Sequence, residues 1–210
     1  MASAPVLPQS LCYRLAKRAL DIAGASAALL ILLPVLAAVA VAVKLDSRGP
    51  LFFAQVRLGR DGRPFRFCKF RSMTAAAPEL RANLAAANEA AGPVFKIRRD
   101  PRITKVGRFL RKASLDELPQ LWHVLCGQMS LVGPRPPIPE EVEHYEPWQT
   151  ERLAVKPGLT CIWQVRGRSD LPFDEWVRLD IEYVRKQSLW LDVKLLLQTV
   201  PAVLTGRGAY

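Results

Sequence analysis

Residues 22–43 form an unbroken apolar run without a charged side chain; only Gly24, Ser26 and Pro34 interrupt its aliphatic character. As a helix it is about 33 Å long, enough to cross a hydrocarbon layer of roughly 30 Å. That constrains the whole fold: one segment enters lipid, and the remaining chain must build a domain beside it. A secretory signal peptide fits poorly. The run is too long for its apolar region, and no small-residue cleavage site with a cleanly starting mature domain follows. Pro34 sits near the middle, where it removes a backbone hydrogen bond and kinks a helix. Both flanks are basic, with Arg14, Lys17 and Arg18 before the run and Lys44, Arg48, Arg57, Arg60 and Arg63 after it. Basic flanks stay in the cytoplasm. Applied to both ends, that rule favours a segment that enters the membrane, bends at Pro34 and returns to the same face. A spanning helix with a tolerated proline is the alternative.

The chain of 210 residues carries a formal net charge of +11. This is room for one ordinary domain plus an anchor, and the charge favours an anionic partner: nucleic acid, anionic lipid or a phosphorylated substrate. An inert basic surface is the plainer reading. Cys12, Cys68, Cys126 and Cys161 make no CxxC pair, and only His123 and His144 are available beside them. Zinc is therefore not indicated, and reduced cytosolic thiols are the default.

The rest reads as short elements. Residues 51–73 suggest strands joined by a turn at 59–62, with Phe65, Phe67 and Phe70 in approximate alternation. Residues 75–91 suggest an Ala-rich helix stopped by Gly92-Pro93. Further helices are expected at 104–112, 119–126 and 173–187, with a rigid loop at 137–139. Leu189, Trp190, Val193, Leu196, Leu197 and Val200 share one helical face up to Pro201; that stripe packs on the domain or lies in the lipid interface. The predicted organisation is a tail (1–16), a re-entrant helix broken at Pro34 (17–48) and a compact domain (49–210). The fold class is α+β, mostly helical, with a small sheet and interfacial amphipathic helices.

The chemistry is concentrated at Ser114-Leu115-Asp116-Glu117 and Gly133-Pro134-Arg135-Pro136. A carboxylate can attack phosphorus if cations hold the phosphate oxygens. Arg98, Arg99, Arg102, Lys105, Arg108, Arg111 and Lys112 precede the acidic pair and Arg135 follows it. Mg²⁺ held by Asp116 or Glu117 together with a diphosphate would serve the same end. The structural alternative is a capping box, with Ser114 as N-cap and Glu117 three residues on. No glycine-rich nucleotide loop is present, so ATP-dependent phosphoryl transfer is not suggested.

In order and spacing, the stretches KLDSRGP (44–50), KFRSM (69–73), DPRIT (100–104), SLDELPQL (114–121), MSLVGPRP (129–136), KPG (156–158), WQV (163–165) and LDIEYV (179–184) resemble the bacterial sugar transferase family. These are the monotopic phosphoglycosyl transferases, and the likeness runs from about Lys17 to the C-terminus. It implies transfer of a sugar 1-phosphate from a UDP-sugar to polyprenyl (undecaprenyl) phosphate, with release of UMP, as the first step of exopolysaccharide or O-antigen assembly. By this similarity Asp116 is the nucleophile that forms a covalent phosphosugar intermediate. Glu117 helps to bind Mg²⁺ or to position the groups. Arg111, Arg135, Arg102, Lys69 and Arg71 line the phosphate site, and Asp180 stands near it. The resemblance also favours the re-entrant anchor. It places the chain in the bacterial inner membrane with the domain facing the cytoplasm, compatible with a homo-oligomer. Two departures stand out. Leu33-Pro34 replaces the Ser-Pro common at the break, and His123 stands where asparagine is expected; His123 reads as structural rather than as a base. Trp148, Trp163 and Trp176 read as core or interface. A non-catalytic basic scaffold or nucleic-acid binder would explain the charge but not Asp116-Glu117, and it lacks interleaved aromatic and basic residues. A nucleotide-sugar hydrolase, with water as the acceptor, is the other rival.

Overall fold

A computed structural model describes residues 10–89, 92–167, 171–206 and 208. Helix α1 (Leu11–Asp46) contains the apolar run. The Ser10 side chain accepts from Tyr13 N at 3.2 Å and so satisfies one open amide at its start. Pro34 lies inside the helix, which is assigned without interruption across it. Leu30, Ile31 and Leu33 are 62–75% exposed. The two ends behave differently. Before Pro34, buried Ala25 packs with Leu121, Val124 and Leu131. After it, Val39 and Val43 pack against Phe70 and Leu110. Both flanks of the apolar run therefore rest on one domain, and its middle is bare.

Strands β1 (Phe52–Leu58) and β2 (Pro64–Phe70) form the expected antiparallel hairpin, with Gln55 opposite Phe67. Its turn is a short 3-10 segment, Arg60–Gly62. The Ala-rich region is not one helix. It forms α2 (Ala77–Leu80) and then a 3-10 segment, Ala82–Ala87. The stretch is largely exposed, and alanine propensity without an apolar face to bury does not sustain a long helix. Helices α3 (Lys105–Lys112) and α4 (Gln120–Leu125) fall where expected. Strand β3 (Ser130–Val132) pairs in parallel with β4 (Gly158–Thr160). Between them α5 (Pro139–Val142) begins inside the expected loop, because Pro139 is well placed in a first helical turn. Helices α6 (Ile162–Arg166), α7 (Phe173–Lys186) and α8 (Leu189–Thr205) complete the chain.

Helix α8 continues through Pro201. Its apolar residues divide between two faces. Leu195 is buried, and Leu191 and Leu196 pack on the core. Trp190, Val193, Leu197, Val200 and Leu204 are exposed, three or four residues apart. The stripe is thus an outward apolar face rather than core packing, with Leu196 the exception.

Charged residues join α1 to the domain. Asp21 is buried and accepts from Ser130 Oγ and Leu131 N, both at 2.9 Å. Lys17 donates to Asp192 (2.9 Å), Tyr183 OH (3.0 Å) and Val132 O (3.1 Å). Arg18 donates to the carbonyls of Val124 and Leu125, at the end of α4. At the far end Arg71 donates to Ser47 O (2.6 Å) and Ser47 Oγ (3.1 Å). The two ends of the apolar helix are therefore bonded to the strands and helices that carry the acidic pair and the Gly-Pro-Arg turn.

Helix α3 approaches the chain after β2 very closely. A Cβ on Gly107 would lie 2.0 Å from Ser72 O, and Arg111 on the same helix donates to Ser72 Oγ at 2.9 Å. Gly107→Ala should therefore destabilise by about 2 kcal/mol or more, because backbone must move, despite a helix-propensity gain of about 1 kcal/mol. Denaturant unfolding in detergent checks this, and a more stable variant would refute the close packing.

Candidate active site

The acidic pair sits at a strained corner. Helix α3 ends at Lys112 with Ala113 as its C-cap, and Ser114 adopts φ 54°, ψ 20°, a left-handed conformation unusual for a residue with a side chain. A 3-10 turn, Leu115–Glu117, follows. The Ser114 side chain caps nothing, so the capping-box reading is wrong: the N-cap position requires extended backbone and this residue is left-handed. The corner instead turns Ser114, Asp116 and Glu117 all to one cavity of about 300 Å³.

Six cations line that cavity, Arg57, Lys69, Lys96, Arg111, Arg135 and Arg152, against three carboxylates, Asp116, Glu117 and Glu141. Asp116 is buried, with Lys69 Nζ 3.8 Å from Oδ2. Burial pushes its carboxyl above the usual range, against the pull of Lys69, while the neighbouring Glu117 charge adds to the rise. Glu117 differs. Burial pushes it up, but Arg135, donating to Oε1 at 2.8 Å, and the surrounding cations outweigh that and hold it below the usual range. The two titrate as a pair, with Asp116 the more basic member. Lys69 is pushed down to about 8 by burial, opposed by Asp116. Burial likewise lowers Arg111. The opposite wall is aromatic: Trp163 stacks on Trp176 at 4.7 Å between centroids, with Phe173 edge-on to Trp176 at 6.4 Å.

Asp116, Glu117, Lys69, Arg111 and Arg135 thus converge as the sequence suggested. Three other candidates do not reach the cavity lining. Arg71 clamps the end of α1 through Ser47, because its strand leads under that helix. Arg102 is buried and forked onto Asp100, with contacts of 2.6 and 2.9 Å, since two residues in a tight turn bring the charges together. Asp180 is fully buried behind the wall, paired with Arg152 at 2.5 Å. Burial pushes Asp180 up to about 6, opposed by Arg152.

Sequence reasoning missed Arg57, Arg152 and Glu141. Arg152 donates to Tyr145 OH (2.8 Å), Asp180 (2.5 Å) and Arg135 O (3.3 Å). It therefore positions the arginine that holds Glu117. Arg57 donates to Pro136 O at 2.7 Å, and burial lowers it to about 10. In the sequence Arg57 stands out only as a basic flank of the apolar run; its place in a strand, opposite Phe65, is the available signal. Nothing local marked Arg152. Trp163 and Trp176 belong to the cavity wall as well as the core. His123 is structural: Nε2 accepts from Cys68 N at 3.0 Å, Nδ1 lies 2.7 Å from Gln128 Oε1, and the ring stacks on Phe67. Those partners place the proton on Nδ1.

The profile of the bacterial sugar transferase family matches residues 12–206. Among curated relatives, the galactosyl transferase CpsE of Streptococcus agalactiae is 48% identical over 94% of this chain and 44% of its own length. The UDP-glucose:undecaprenyl-phosphate glucose-1-phosphate transferase of Escherichia coli is 42% identical over 97% of this chain and 43% of its own. The exopolysaccharide production protein ExoY of Rhizobium meliloti is 39% identical over 93% of this chain and 88% of its own. The chain thus spans less than half of the first two relatives and most of the third. A family match extending from the start of α1 to the end of α8 covers the corner, the cavity and the apolar helix together, and the chain belongs to the bacterial sugar transferase family.

Proposed function

We propose that this chain transfers a sugar 1-phosphate from a UDP-sugar to undecaprenyl phosphate, with Asp116 as a covalent nucleophile. The observation that carries this reading is a buried carboxylate 3.8 Å from Lys69, beside a second carboxylate locked to Arg135, in one cation-rich cavity. The Escherichia coli relative is named for the same overall transfer.

Asp116 Oδ attacks the sugar-bearing phosphorus, forming an acyl phosphate. The bridging P–O bond breaks and UMP leaves with its electron pair. An oxygen of undecaprenyl phosphate then attacks the same phosphorus, and Asp116 recovers its carboxylate. Two anions meet only if cations neutralise the phosphates, which is the work of Lys69, Arg111 and Arg135. Desolvation keeps Asp116 nucleophilic, while the ion pair holds Glu117 ionised and still. The Trp163–Trp176 wall offers a flat apolar face to a base. Asp116 and Glu117 supply two hard oxygen donors, and among the described residues no group of three acidic, His or Cys side chains is placed to hold a metal ion by itself. That set fits Mg²⁺, which keeps waters and takes further oxygens from a diphosphate. When bound it would supply charge stabilisation to the phosphates. Water as the acceptor would make the chain a hydrolase, and turnover that ignores added undecaprenyl phosphate would favour that rival.

The reading includes a re-entrant α1, with the domain on the cytoplasmic face of the inner membrane. In its support, the helix holds an apolar run long enough to cross a membrane and has a bare middle, both ends are bonded to one domain, and both flanks are basic. A spanning helix would separate its ends by a bilayer thickness. The exposed stripe on α8 suits the lipid interface. Homo-oligomerisation is compatible with this arrangement, and no nucleic-acid partner is invoked.

Asp116→Asn should abolish UMP release from UDP-hexoses, by about 1,000-fold or more, with the fold intact. Wild-type turnover in this variant would remove Asp116 from the chemistry. Lys69 works as a cation, so kcat/KM should fall as pH rises through about 8. In Lys69→Arg that limb should move up by roughly a unit or more; an unmoved limb would assign it to another group. Single cysteines replacing Arg14 and Arg48 should both react with an impermeant maleimide from the cytoplasmic side only. Labelling from opposite sides would sink the re-entrant anchor.

A further inference from the structure

Glu141 lines the catalytic cavity, and the mechanism gives it no task. It lies in the first turn of α5, where its Oε2 accepts from Ile138 N at 3.3 Å. That bond fixes the side chain but occupies one lone pair. Among the described residues no cation stands within 4.0 Å of it. Burial pushes its carboxyl up, and Arg57, Arg152 and Arg135 nearby pull it down. The result is a partly desolvated, acceptor-only group left with open lone pairs beside the phosphate-holding arginine.

An anionic phosphate is repelled by such a group. A uracil ring offers it a single donor between two acceptors. Neighbouring sugar hydroxyls offer a pair of donors, and a carboxylate can take both with charge-assisted hydrogen bonds. The sugar hangs on the phosphorus that Asp116 attacks, so it must lie in this same small cavity near Arg135.

We propose that Glu141 accepts hydroxyl hydrogen bonds from the donor hexose and thereby selects among UDP-hexoses. This inference rests on the function proposed above. The structural alternative is a helix cap only. Glutamine separates the two, because its carbonyl still accepts from Ile138 N but it offers one acceptor and unwanted donors to the sugar.

The test measures kcat/KM for UMP release by wild type, Glu141→Gln and Glu141→Ala. Donors are UDP-glucose, UDP-galactose and their 2-, 3-, 4- and 6-deoxy analogues; inhibition by UMP reports the nucleotide site. Wild type should lose about tenfold or more on one or two deoxy analogues. In both variants that penalty should shrink to about twofold, with UMP inhibition unchanged within about twofold, because the lost hydroxyl no longer has a partner. Glu141→Gln matching wild type on every donor would overturn the assignment. So would an equal loss on all donors, deoxy analogues included. Wild type releasing UMP from no UDP-hexose would overturn the underlying function, and the wild-type series alone reveals that.

Discussion

The segment from Val132 to Pro137 is held by its carbonyls. Three of its residues are proline and donate nothing, so the main chain can be tied there chiefly through oxygen. Distant parts of the chain meet at those oxygens. Lys17 of α1 and Tyr183 of α7 bond Val132 O, and Gly158 N of β4 bonds Pro134 O. Arg152 bonds Arg135 O, Arg57 bonds Pro136 O, and Leu58 N bonds Pro137 O. Gly133 and Gly158 permit the approach: a Cβ on Gly158 would stand 2.0 Å from Gly133 N. Arg135 thus lines the cavity from a backbone fixed on several sides, which holds its guanidinium in place against Glu117.

This frame explains why charged residues are buried where the chemistry is not. Asp21, Asp192, Asp180 and Arg152 each satisfy a partner that fixes the Gly-Pro-Arg turn or the helix beside it, with the part-buried Lys17 paired to Asp192. An unpaired buried charge is costly, so each is paired or multiply bonded. The apolar helix belongs to the same construction. Its buried Asp21 bonds β3 directly, at the strand that leads into the Gly-Pro-Arg turn, so helix and domain share hydrogen bonds.

Much of the site was legible in the sequence, for a physical reason. Asp116 and Glu117 are adjacent, and a short turn suffices to present both; Arg111 and Arg135 stand close enough in the chain to suspect. Lys69 entered through the family resemblance, and β2 places it against Asp116. Arg71 and Arg102 carry the same charge but face other partners, and nothing in a basic motif says which cation meets the substrate and which clamps backbone. Arg57 and Arg152 reach the cavity from a strand and a 3-10 segment that only packing brings there. The hairpin and α8 followed from periodicity, and α3, α4 and α7 lie where helices were expected. The helix expected at 75–91 did not form: over 77–87 helix propensity without burial leaves short, broken turns, and residues 90 and 91 lie outside the described residues.

By itself the sequence determined the local chemistry: an apolar segment long enough for lipid, a proline within it, an acidic pair, and an excess of cations. Those are properties of composition and near-neighbour spacing, which the chain carries into any fold. The tertiary structure decided which groups meet. It gave Asp116 and Glu117 opposite pKa shifts from one neighbourhood, moved Asp180 behind the wall, and brought both ends of α1 to the same domain. These outcomes depend on desolvation and on contacts between residues as much as 179 positions apart, as in Tyr13 to Asp192, and neither is written in local sequence.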